Sequence, residues 1–494
     1  MMAALVTSLA PSIAPWLGLA LLLLVALGII FTGLPAAIVL IGVASIGAAV
    51  GVATDIVPFA LLSALPGRLV NLFENDLLQA LPLYVLMGLL LDRLPVAEAL
   101  YKTSLAVLPR GPAAQLVAGM GLGALLGPMN GSVGASVLGL SRVIAPRLAV
   151  HGVAEPMRAA LVAVASTLGV VIPPSLVLIL LGDAMLSAHT IAVTTTGRTD
   201  RVINTQDVFH GALAPAGLFL VLSLIVAWLV GRRLPATKQA TDDRPTRAQI
   251  VLAIISVVFL LVLLGGVAIG VFYAVEAAAM GAFVLFAGGL VTRRLRGKIM
   301  REVLGHAMAT TGALFALLIA ATTLTLMLRL LGTDKLVADG VTALPGGDLA
   351  IVAVVLLAIG LSAFVLDAFE IIFVVVPIVI PPLLIRVADA RWVAVLVLLT
   401  LQTSFLLPPF GYALMMVRGT LRYAGSLGAL VRALLPFLLA QWLVLATVLL
   451  FPQLAHVGEK ETDRARGAPP ISTEEINKRL NDMLTPLPDF EPPK

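Results

Sequence analysis

A carboxylate in a hydrophobic run is the first feature of this sequence that could take part in chemistry. Asp367 lies in the segment SAFVLDAFEIIFVVVPIVIPPLL, and Glu370 follows it about one helical turn later. An acid at membrane depth is costly and by default marks a functional site, because it must find a partner or a water-filled cavity. Asp367 therefore indicates a binding site. Glu370 is equally consistent with a second site acid and with the partner of a basic residue.

Prolines interrupt the hydrophobic segments near these acids at a repeated spacing. Pro381 precedes the Pro-Pro pair at 408–409 by 27 residues. Pro146 precedes the pair at 173–174 by the same 27 residues, and adding 235 to the upstream positions gives the downstream ones. Paired interruptions at matching places in two halves of a chain point to the binding site of a transporter. The alternative is a chance match in a chain with 31 prolines.

Oxygen-bearing side chains cluster at both interruptions. The shift of 235 carries Ser132 onto Asp367 and Gly169 onto Ser404. Half-helix C-termini and unwound carbonyls suit cations such as Na⁺, whereas half-helix N-termini suit anions. We expect a cation at Asn130, Gly131, Ser132, Asp367, Thr403 and Ser404, and a substrate at Ser136, Thr167, Pro173, Ser175, Gln402, Pro408 and Gly411. For each hydroxyl, a hydrogen bond to its own helix or close helix packing is an equally good explanation.

The composition indicates which elements must position these residues. The 494 residues include only 12% charged ones, against about 25% in soluble domains. Many apolar runs exceed the roughly 20 residues that span a bilayer as a helix. The chain is therefore predicted to be an all-α, multi-pass membrane protein, since its long Leu-, Val- and Ala-rich runs differ from the short alternating strands of a membrane barrel.

The same composition excludes several other functions. The chain has no cysteine, so it forms no disulfide and no cysteine metal site, and its five histidines form no i,i+4 pair. We therefore expect no transition-metal site. No nucleophile–base set, P-loop or dinucleotide motif is present, so we expect neither an enzyme nor direct use of ATP. The basic residues lie in predicted loops, where they act as topology signals rather than nucleic-acid contacts.

The order of apolar and polar segments predicts a division into six regions. Polar links are expected at 92–110 and 188–210, and an amphipathic surface segment at 56–76. The regions are scaffold helices over 1–111, a first repeat core with a helical hairpin over 112–190, a polar loop and scaffold helices over 191–304, a second repeat core with a hairpin over 305–425, a last helix over 426–458 and a polar tail over 459–494.

Four segments resemble the large membrane subunit of the tripartite ATP-independent periplasmic (TRAP) transporters, the DctM-like family, over about residues 16–450. They are GALLGPMNGSVGAS, STLGVVIPPSLVLILLGDAM, GVFYAVEAAAMGAF, and FVLDAFEIIFVVVPIVIPPL with LQTSFLLPPFGYALMM. The second, with its IPPS sequence, is the most specific.

The resemblance implies a fold and a function. The fold would be an ion-transporter-like elevator with two inverted-topology repeats that contain broken helices and re-entrant hairpins. The function would be sodium-coupled uptake of an organic acid across the bacterial inner membrane, with Na⁺ as coupling ion and no other cofactor. A small membrane subunit of about four helices and a periplasmic substrate-binding protein would be the partners.

The sequence departs from the usual family pattern at four positions. Asn130 stands where a serine is usual, Val133 replaces another serine, Leu407 replaces a threonine, and Thr400 replaces an asparagine. The LQTSF and GYALMMVRG sequences resemble a branch associated with mannitol or chloroaromatic compounds. These departures bear on the coupling ion, which is Na⁺ or H⁺, and on the substrate, rather than on the fold.

The resemblance leaves one main alternative. A stand-alone secondary anion symporter or a sodium/proton antiporter of the wider ion-transporter class would share the inverted repeats and broken hairpins. The four matched segments favour the tripartite importer.

Topology gives the first testable prediction. The stretches 232–247 and 293–301 are both rich in Arg and Lys and flank one predicted hairpin, so both are expected in the cytoplasm, with 188–210 in the periplasm. Single cysteines introduced into each stretch test this, since the parent has none. An impermeant thiol reagent should label 188–210 in intact cells and should label 232–247 only after lysis. Labelling of 232–247 in intact cells would contradict the prediction.

Overall fold

The computed structural model describes residues 2–109, 111–130, 132–199, 201–235, 244–409 and 411–457. Throughout these ranges the regular structure is helical, without strands. Eleven of the helices described there are long and apolar enough to span a membrane. The expected all-α, multi-pass architecture is confirmed. Gly131 and the predicted tail at 459–494 lie outside the described residues.

The first half of the chain contains eleven α-helices. They are α1 (Met2–Thr32), α2 (Ala36–Ala53), α3 (Phe59–Leu62), α4 (Ala64–Glu74), α5 (Asp76–Arg93), α6 (Val96–Val107), α7 (Pro112–Leu126), α8 (Val133–Val150), α9 (Glu155–Val171), α10 (Leu176–Thr196) and α11 (Thr205–Arg233).

The described residues of the second half form ten more. They are α12 (Arg247–Ala268), α13 (Ala274–Val291), α14 (Lys298–Leu330), α15 (Thr333–Thr342), α16 (Asp348–Ser362), α17 (Ala368–Glu370), α18 (Val376–Arg386), α19 (Ala390–Ser404), α20 (Tyr412–Thr420) and α21 (Leu427–Leu450). A π-helical turn at Ile371–Val375 joins α17 to α18.

The repeat predicted from the prolines is present and extends beyond the two predicted cores. Adding 235 to the bounds of α7 gives 347–361, against an observed Asp348–Ser362 for α16. The same shift carries α8 onto 368–385, which α17 and α18 occupy together, and α9 onto 390–406, where α19 lies. It also places α6 on 331–342, the position of α15. The repeat therefore includes α6, which the sequence analysis assigned to the scaffold, and its equivalent α15, which lies within the predicted second core.

Each half of the chain packs its first helix pair against the other half. Helix α2 contacts α14, and α13 contacts α5, which are equivalent contacts under the shift. Likewise α1 contacts α15, and α12 contacts α6. The two halves are thus interlocked, and neither buries its apolar helix faces alone.

Two helical hairpins open on opposite faces. We call α7 with α8 hairpin 1, and α16 with α17 and α18 hairpin 2. Helix α11 ends beside the start of hairpin 1, because a Cβ at Gly231 would lie 2.4 Å from Cα of Ala113. Just before the start of α11, Arg198 donates a hydrogen bond to the carbonyl of Leu384, near the end of hairpin 2. The 29 residues of α11 span about 40 Å between these points.

The faces can be distinguished by their charges. Arg232 and Arg233 end α11 on the face where hairpin 1 opens, which therefore carries basic loops. His456 lies on the opposite face, with its Nε2 2.8 Å from Oδ2 of Asp389, the N-cap of α19. The described chain thus ends at Val457 on the face of the 197–204 loop.

Two expected polar links are largely helical. Helix α10 extends to Thr196 and α11 begins at Thr205, so the predicted loop at 188–210 was wrong outside 197–204. The hydroxyls of Thr190 and Thr194 satisfy carbonyls of their own helix, which makes a threonine run compatible with α10. A capping box between Asn204 and Asp207 starts α11.

The link expected at 92–110 also contains a helix, α6. Its charged residues form a salt bridge along one helix face, with Nζ of Lys102 3.2 Å from Oε1 of Glu98. The charged residues that suggested a loop in the sequence therefore belong to a partly buried helix, on which they form an ion pair.

Candidate functional site

The first break interrupts the helix formed by α9 and α10. Ser175 caps α10 by accepting a hydrogen bond from the N–H of Leu178 (3.2 Å), and its hydroxyl donates to the carbonyl of Val170 (3.0 Å). One serine thus forms hydrogen bonds with backbone groups of both half-helices. The Pro173-Pro174 peptide bond is cis, as is Pro408-Pro409 in the second break. Pro173 and Ser175 are both buried, in the region where the substrate was expected.

The tip of hairpin 1 faces this break. Ser132 caps α8 by accepting from the N–H of Ala135 at 3.2 Å. The amide of Asn130 donates to the hydroxyl of Ser136, also at 3.2 Å. The backbones meet at two glycines, because a Cβ at Gly169 would lie 2.3 Å from the carbonyl carbon and oxygen of Gly127. This contact seats the hairpin tip directly on the broken helix.

A small cavity lies between the tip and the break. Its empty volume is about 240 Å³, and the centre of a water-sized particle has about 10 Å³ in which to move. That is about the room that one water molecule needs. Four serines, Ser132, Ser136, Ser166 and Ser175, contribute to the lining, although most of the lining surface is apolar. A space of this size with serine oxygens at its border could hold one small hard cation.

The lining includes Ser166, which the sequence analysis missed, and omits Asn130, Thr167 and Pro173, which it expected at this break. Ser166 lines the cavity, although its hydroxyl also donates to the carbonyl of Val162 (2.6 Å). The neighbouring Thr167 does not line it; its hydroxyl donates to the carbonyl of Val164 (2.9 Å). Neighbouring residues point in different directions around a helix, so of these two only Ser166 faces the cavity. Gly169, three residues after Ser166, lies on the same side of α9.

The tip of hairpin 2 holds two acids, the half-buried Asp367 and the buried Glu370. Asp367 caps α17, its Oδ1 accepting from the N–H of Ala368 at 2.7 Å. Oε2 of Glu370 accepts from the N–H of Asp367 at 3.0 Å, which completes a capping box. The shift of 235 therefore relates two helix caps, a serine in the first repeat and an aspartate in the second. The aspartate places a charge where the first repeat has a neutral hydroxyl.

The π-helical turn after these acids is tied to a neighbouring helix. Thr325 of α14 donates its hydroxyl to the carbonyl of Phe373 at 3.2 Å. A π-bulge widens the helix and often accompanies functional sites. Hairpin 2 is thus irregular from its cap through its first two turns.

The polar side chains of the second break differ in whether they have hydrogen-bond partners. The hydroxyls of Thr403 and Ser404 each donate to a carbonyl of α19, those of Leu399 and Thr400, at 2.8 Å. The fully buried Gln402 has no hydrogen-bond partner at either amide atom. A buried unpaired amide costs about 1–3 kcal/mol, so a water or ligand group beside it would be stabilising.

The backbone of the second break, just after α19, is held by a hydrogen bond and a close glycine contact. The N–H of Gly411 donates to the carbonyl of Leu407 at 2.8 Å, and a Cβ at Gly411 would lie 2.6 Å from the carbonyl oxygen of Phe405. Pro408 is half-buried between them. The expected substrate residues of this break are therefore adjacent, although nothing shows a ligand beside them.

Tyr412 joins the two halves of the site. A Cβ at Gly134, in the first turn of α8, would lie 2.9 Å from its Oη. The start of α8, at the tip of hairpin 1, and the start of α20, just after the second break, are therefore neighbours. The sequence analysis did not single out Tyr412, although its place at the start of α20, after the PPFG break, was a usable signal.

The predicted residues thus form two groups rather than one. Asn130, Ser132, Ser136 and Ser175 surround the first break, and Asp367, Gln402, Thr403 and Ser404 belong to the second. In the described ranges, no group of three or more His, Cys, Asp or Glu side chains could hold a metal ion.

The chain is similar to known transport proteins. Residues 21–454 match the family described as "Tripartite ATP-independent periplasmic transporter, DctM component". The chain is 23% identical over 398 residues to the sialic acid TRAP transporter permease protein SiaT of Haemophilus influenzae, and the match covers 80% of this chain but only 61% of that permease. It is 25% identical over 397 residues to the C4-dicarboxylate TRAP transporter large permease protein DctM of Pseudomonas aeruginosa, covering 78% of this chain and 87% of the relative.

The fold is also similar to a solved structure. The crystal structure of the Alcanivorax borkumensis YdaH transporter, described as having an unusual topology, matches with a TM-score of 0.59 at 17% identity. The match covers 79% of this chain and 87% of that one. At this identity the similarity concerns the fold.

The glycine contact at the first break gives a testable prediction. Gly169→Ala should lower the midpoint of thermal unfolding of the purified protein, because the new methyl group would meet backbone atoms of Gly127 that cannot rotate away. Overpacking of this kind costs about 1–3 kcal/mol. The matched control is Gly121→Ala on α7, where a Cβ meets nothing within 4 Å. Equal midpoints for the Gly169 variant and the parent would show that the tip is not seated as described.

Proposed function

This chain belongs to the DctM family of tripartite ATP-independent periplasmic transporters, and we propose that it is the large permease subunit of a sodium-coupled importer of an organic acid or related small polar solute. As a member of that family it is a transporter rather than an enzyme. It resides in the bacterial inner membrane as a multi-pass protein, with eleven candidate spans among its described helices.

The observation that carries this proposal is the small cavity, with serine oxygens at its border, between the tip of hairpin 1 and the first break. Ser132, Ser136, Ser166 and Ser175 bring four hydroxyls to one small space at a helix interruption. Hydroxyl and carbonyl oxygens are hard ligands, and a space for one water-sized particle matches a single dehydrated cation. The cavity therefore supports Na⁺ as the coupling ion at the first repeat.

Charge supports a second cation position near hairpin 2. Asp367 and Glu370 form no ion pair with a basic side chain in the described part of the chain. A carboxylate at membrane depth costs about 2.5–3.5 kcal/mol on insertion scales, and a bound cation would offset that cost. Protons could serve the same purpose, because two adjacent acids also suit proton coupling. That is the specific alternative to Na⁺ here.

Substrate binding is proposed at the N-terminal ends of the half-helices that leave the two breaks. Helix α10 begins at Leu176 and α20 begins at Tyr412, so each break is followed by a half-helix N-terminus, an end that favours an anion. The unpaired amide of Gln402 could add a hydrogen bond. The names of two relatives, which refer to sialic acid and C4-dicarboxylates, agree with a carboxylate substrate.

The tripartite proposal is tested by uptake into proteoliposomes. The chain should transport poorly alone and well with a small membrane subunit of about four helices and a periplasmic binding protein. The candidate partners would be supplied singly and together, with a sodium gradient in each arm. Full-rate uptake by the chain alone would overturn the tripartite proposal in favour of a stand-alone symporter.

Asp367→Asn tests the coupling ion. Asparagine is as good a helix cap as aspartate, so the start of α17 should be retained while the charge is removed. We expect the Na⁺ concentration for half-maximal uptake to rise about tenfold, the equivalent of about 1.4 kcal/mol of lost binding. The control is Asp348→Asn, in the first turn of the same hairpin on α16. An unchanged Na⁺ activation curve for Asp367→Asn would refute the sodium site and favour a proton-coupled or structural acid.

A further inference from the structure

A second and larger cavity lies on the face of the basic loops. It is bounded by the end of α5, the start of α6, the end of α7, the middle of α8 and the loop after α13, and the centre of a water-sized particle has about 260 Å³ in which to move. Its inner end reaches Asn130 at the tip of hairpin 1. We call this space the vestibule. Asn130 also donates a hydrogen bond to Ser136 of the small cavity, so this one hydrogen bond joins the linings of the two cavities.

The acids of the vestibule are already neutralised. Oδ2 of Asp92 lies 2.6 Å from Nη1 of Arg142. Glu98 contacts two bases, with its Oε1 3.0 Å from Nη2 of Arg147 and 3.2 Å from Nζ of Lys102. Neither carboxylate therefore offers an unopposed negative charge to a solute.

Positive charge is in excess around the same space. Arg93 lines it and shares Glu302 with Lys298, at 3.3 and 4.0 Å. Arg294 lines it and forms no ion pair within the described part of the chain. With the ion-pair partners of the lining residues included, five bases (Arg93, Lys102, Arg142, Arg147 and Arg294) face three acids (Asp92, Glu98 and Glu302), an excess of two positive charges.

We propose that the vestibule is a separate, low-affinity site for small organic carboxylates, which holds the solute between the broken-helix site and the cytoplasm, with Arg294 as its main anion contact. The role of the vestibule in transport rests on the proposed function. Its anion binding rests on the cavity and its charges alone.

The walls explain why an organic carboxylate fits better than an inorganic anion. Leu91, Leu126 and Leu140 form an apolar surface beside the arginines. Small-molecule sites commonly combine such walls with a few convergent polar groups. Low-dielectric walls also focus the field of a single-sign cleft and raise the local concentration of counter-charged solutes.

Thiol-reagent rates measure the potential inside the vestibule directly. Ala97→Cys places a reporter on the vestibule wall, in a full-length chain that has no other cysteine. Its reaction rates with an anionic reagent (2-sulfonatoethyl methanethiosulfonate) and a cationic one (2-trimethylammonioethyl methanethiosulfonate) are compared. Ala424→Cys, an exposed position outside the vestibule, is the matched reporter.

Arg294→Gln should lower the anionic-to-cationic rate ratio at Ala97→Cys by about fivefold, the effect of removing one unit charge about 8 Å away in water. The ratio at Ala424→Cys should not change. Arg296→Gln, in the same loop but outside the lining, is the control substitution and should have a much smaller effect. An unchanged ratio at Ala97→Cys, or an equal change with Arg296→Gln, would overturn the assignment of Arg294.

Protection tests whether the vestibule binds a carboxylate rather than only attracting anions. Succinate and N-acetylneuraminate should slow both reagents at Ala97→Cys, whereas sulfate at equal ionic strength should slow only the anionic one. If sulfate and the carboxylates changed the two reaction rates in the same way, the effect would be electrostatic screening alone. That result would overturn the proposed binding site. These rates are measured without transport, so they stand if the uptake experiments fail, and uptake can succeed while the vestibule proposal fails.

Discussion

The structure depends on one constraint, which is that backbone groups freed inside a membrane must be satisfied within the protein. Each interruption of a spanning helix here is closed locally by a capping side chain, a carbonyl or a tight glycine contact. Ser175 does this for both half-helices of the first break, and Ser132 does it for the tip of hairpin 1. The oxygens that close the breaks are the same oxygens that line the cavity, so structural and binding roles share residues.

The two repeats meet this constraint with different chemistry. At equivalent positions the first repeat has Ser132 and Gly169, and the second has Asp367 and Ser404. The glycine allows the first tip to touch its broken helix through the backbone, while the second tip carries a charge and a π-helical turn. The helices of the two repeats are therefore arranged symmetrically, but the candidate site is asymmetric. Its ionisable groups belong to the second repeat.

Much of the fold could be predicted from the sequence, because proline pairs and acids at membrane depth have few structural explanations. The hairpins, both breaks and the offset of 235 followed from such residues. The 188–210 loop was mispredicted, because the sequence does not show that Thr190 and Thr194 bond their own helix. Ser166 was missed for a related reason, since only the helical phase decides which of two neighbouring residues faces a cavity.

The interlocked packing of the two halves has a consequence for synthesis of the chain. Helix α2 ends at Ala53, but its partner α14 begins only at Lys298. At about 5–20 residues per second, α2 waits roughly 10–50 s for that partner after leaving the ribosome. During that interval its partner-binding face must be covered by lipid or by an insertion factor. The stability of the nascent chain therefore depends on the order in which its helices are synthesised.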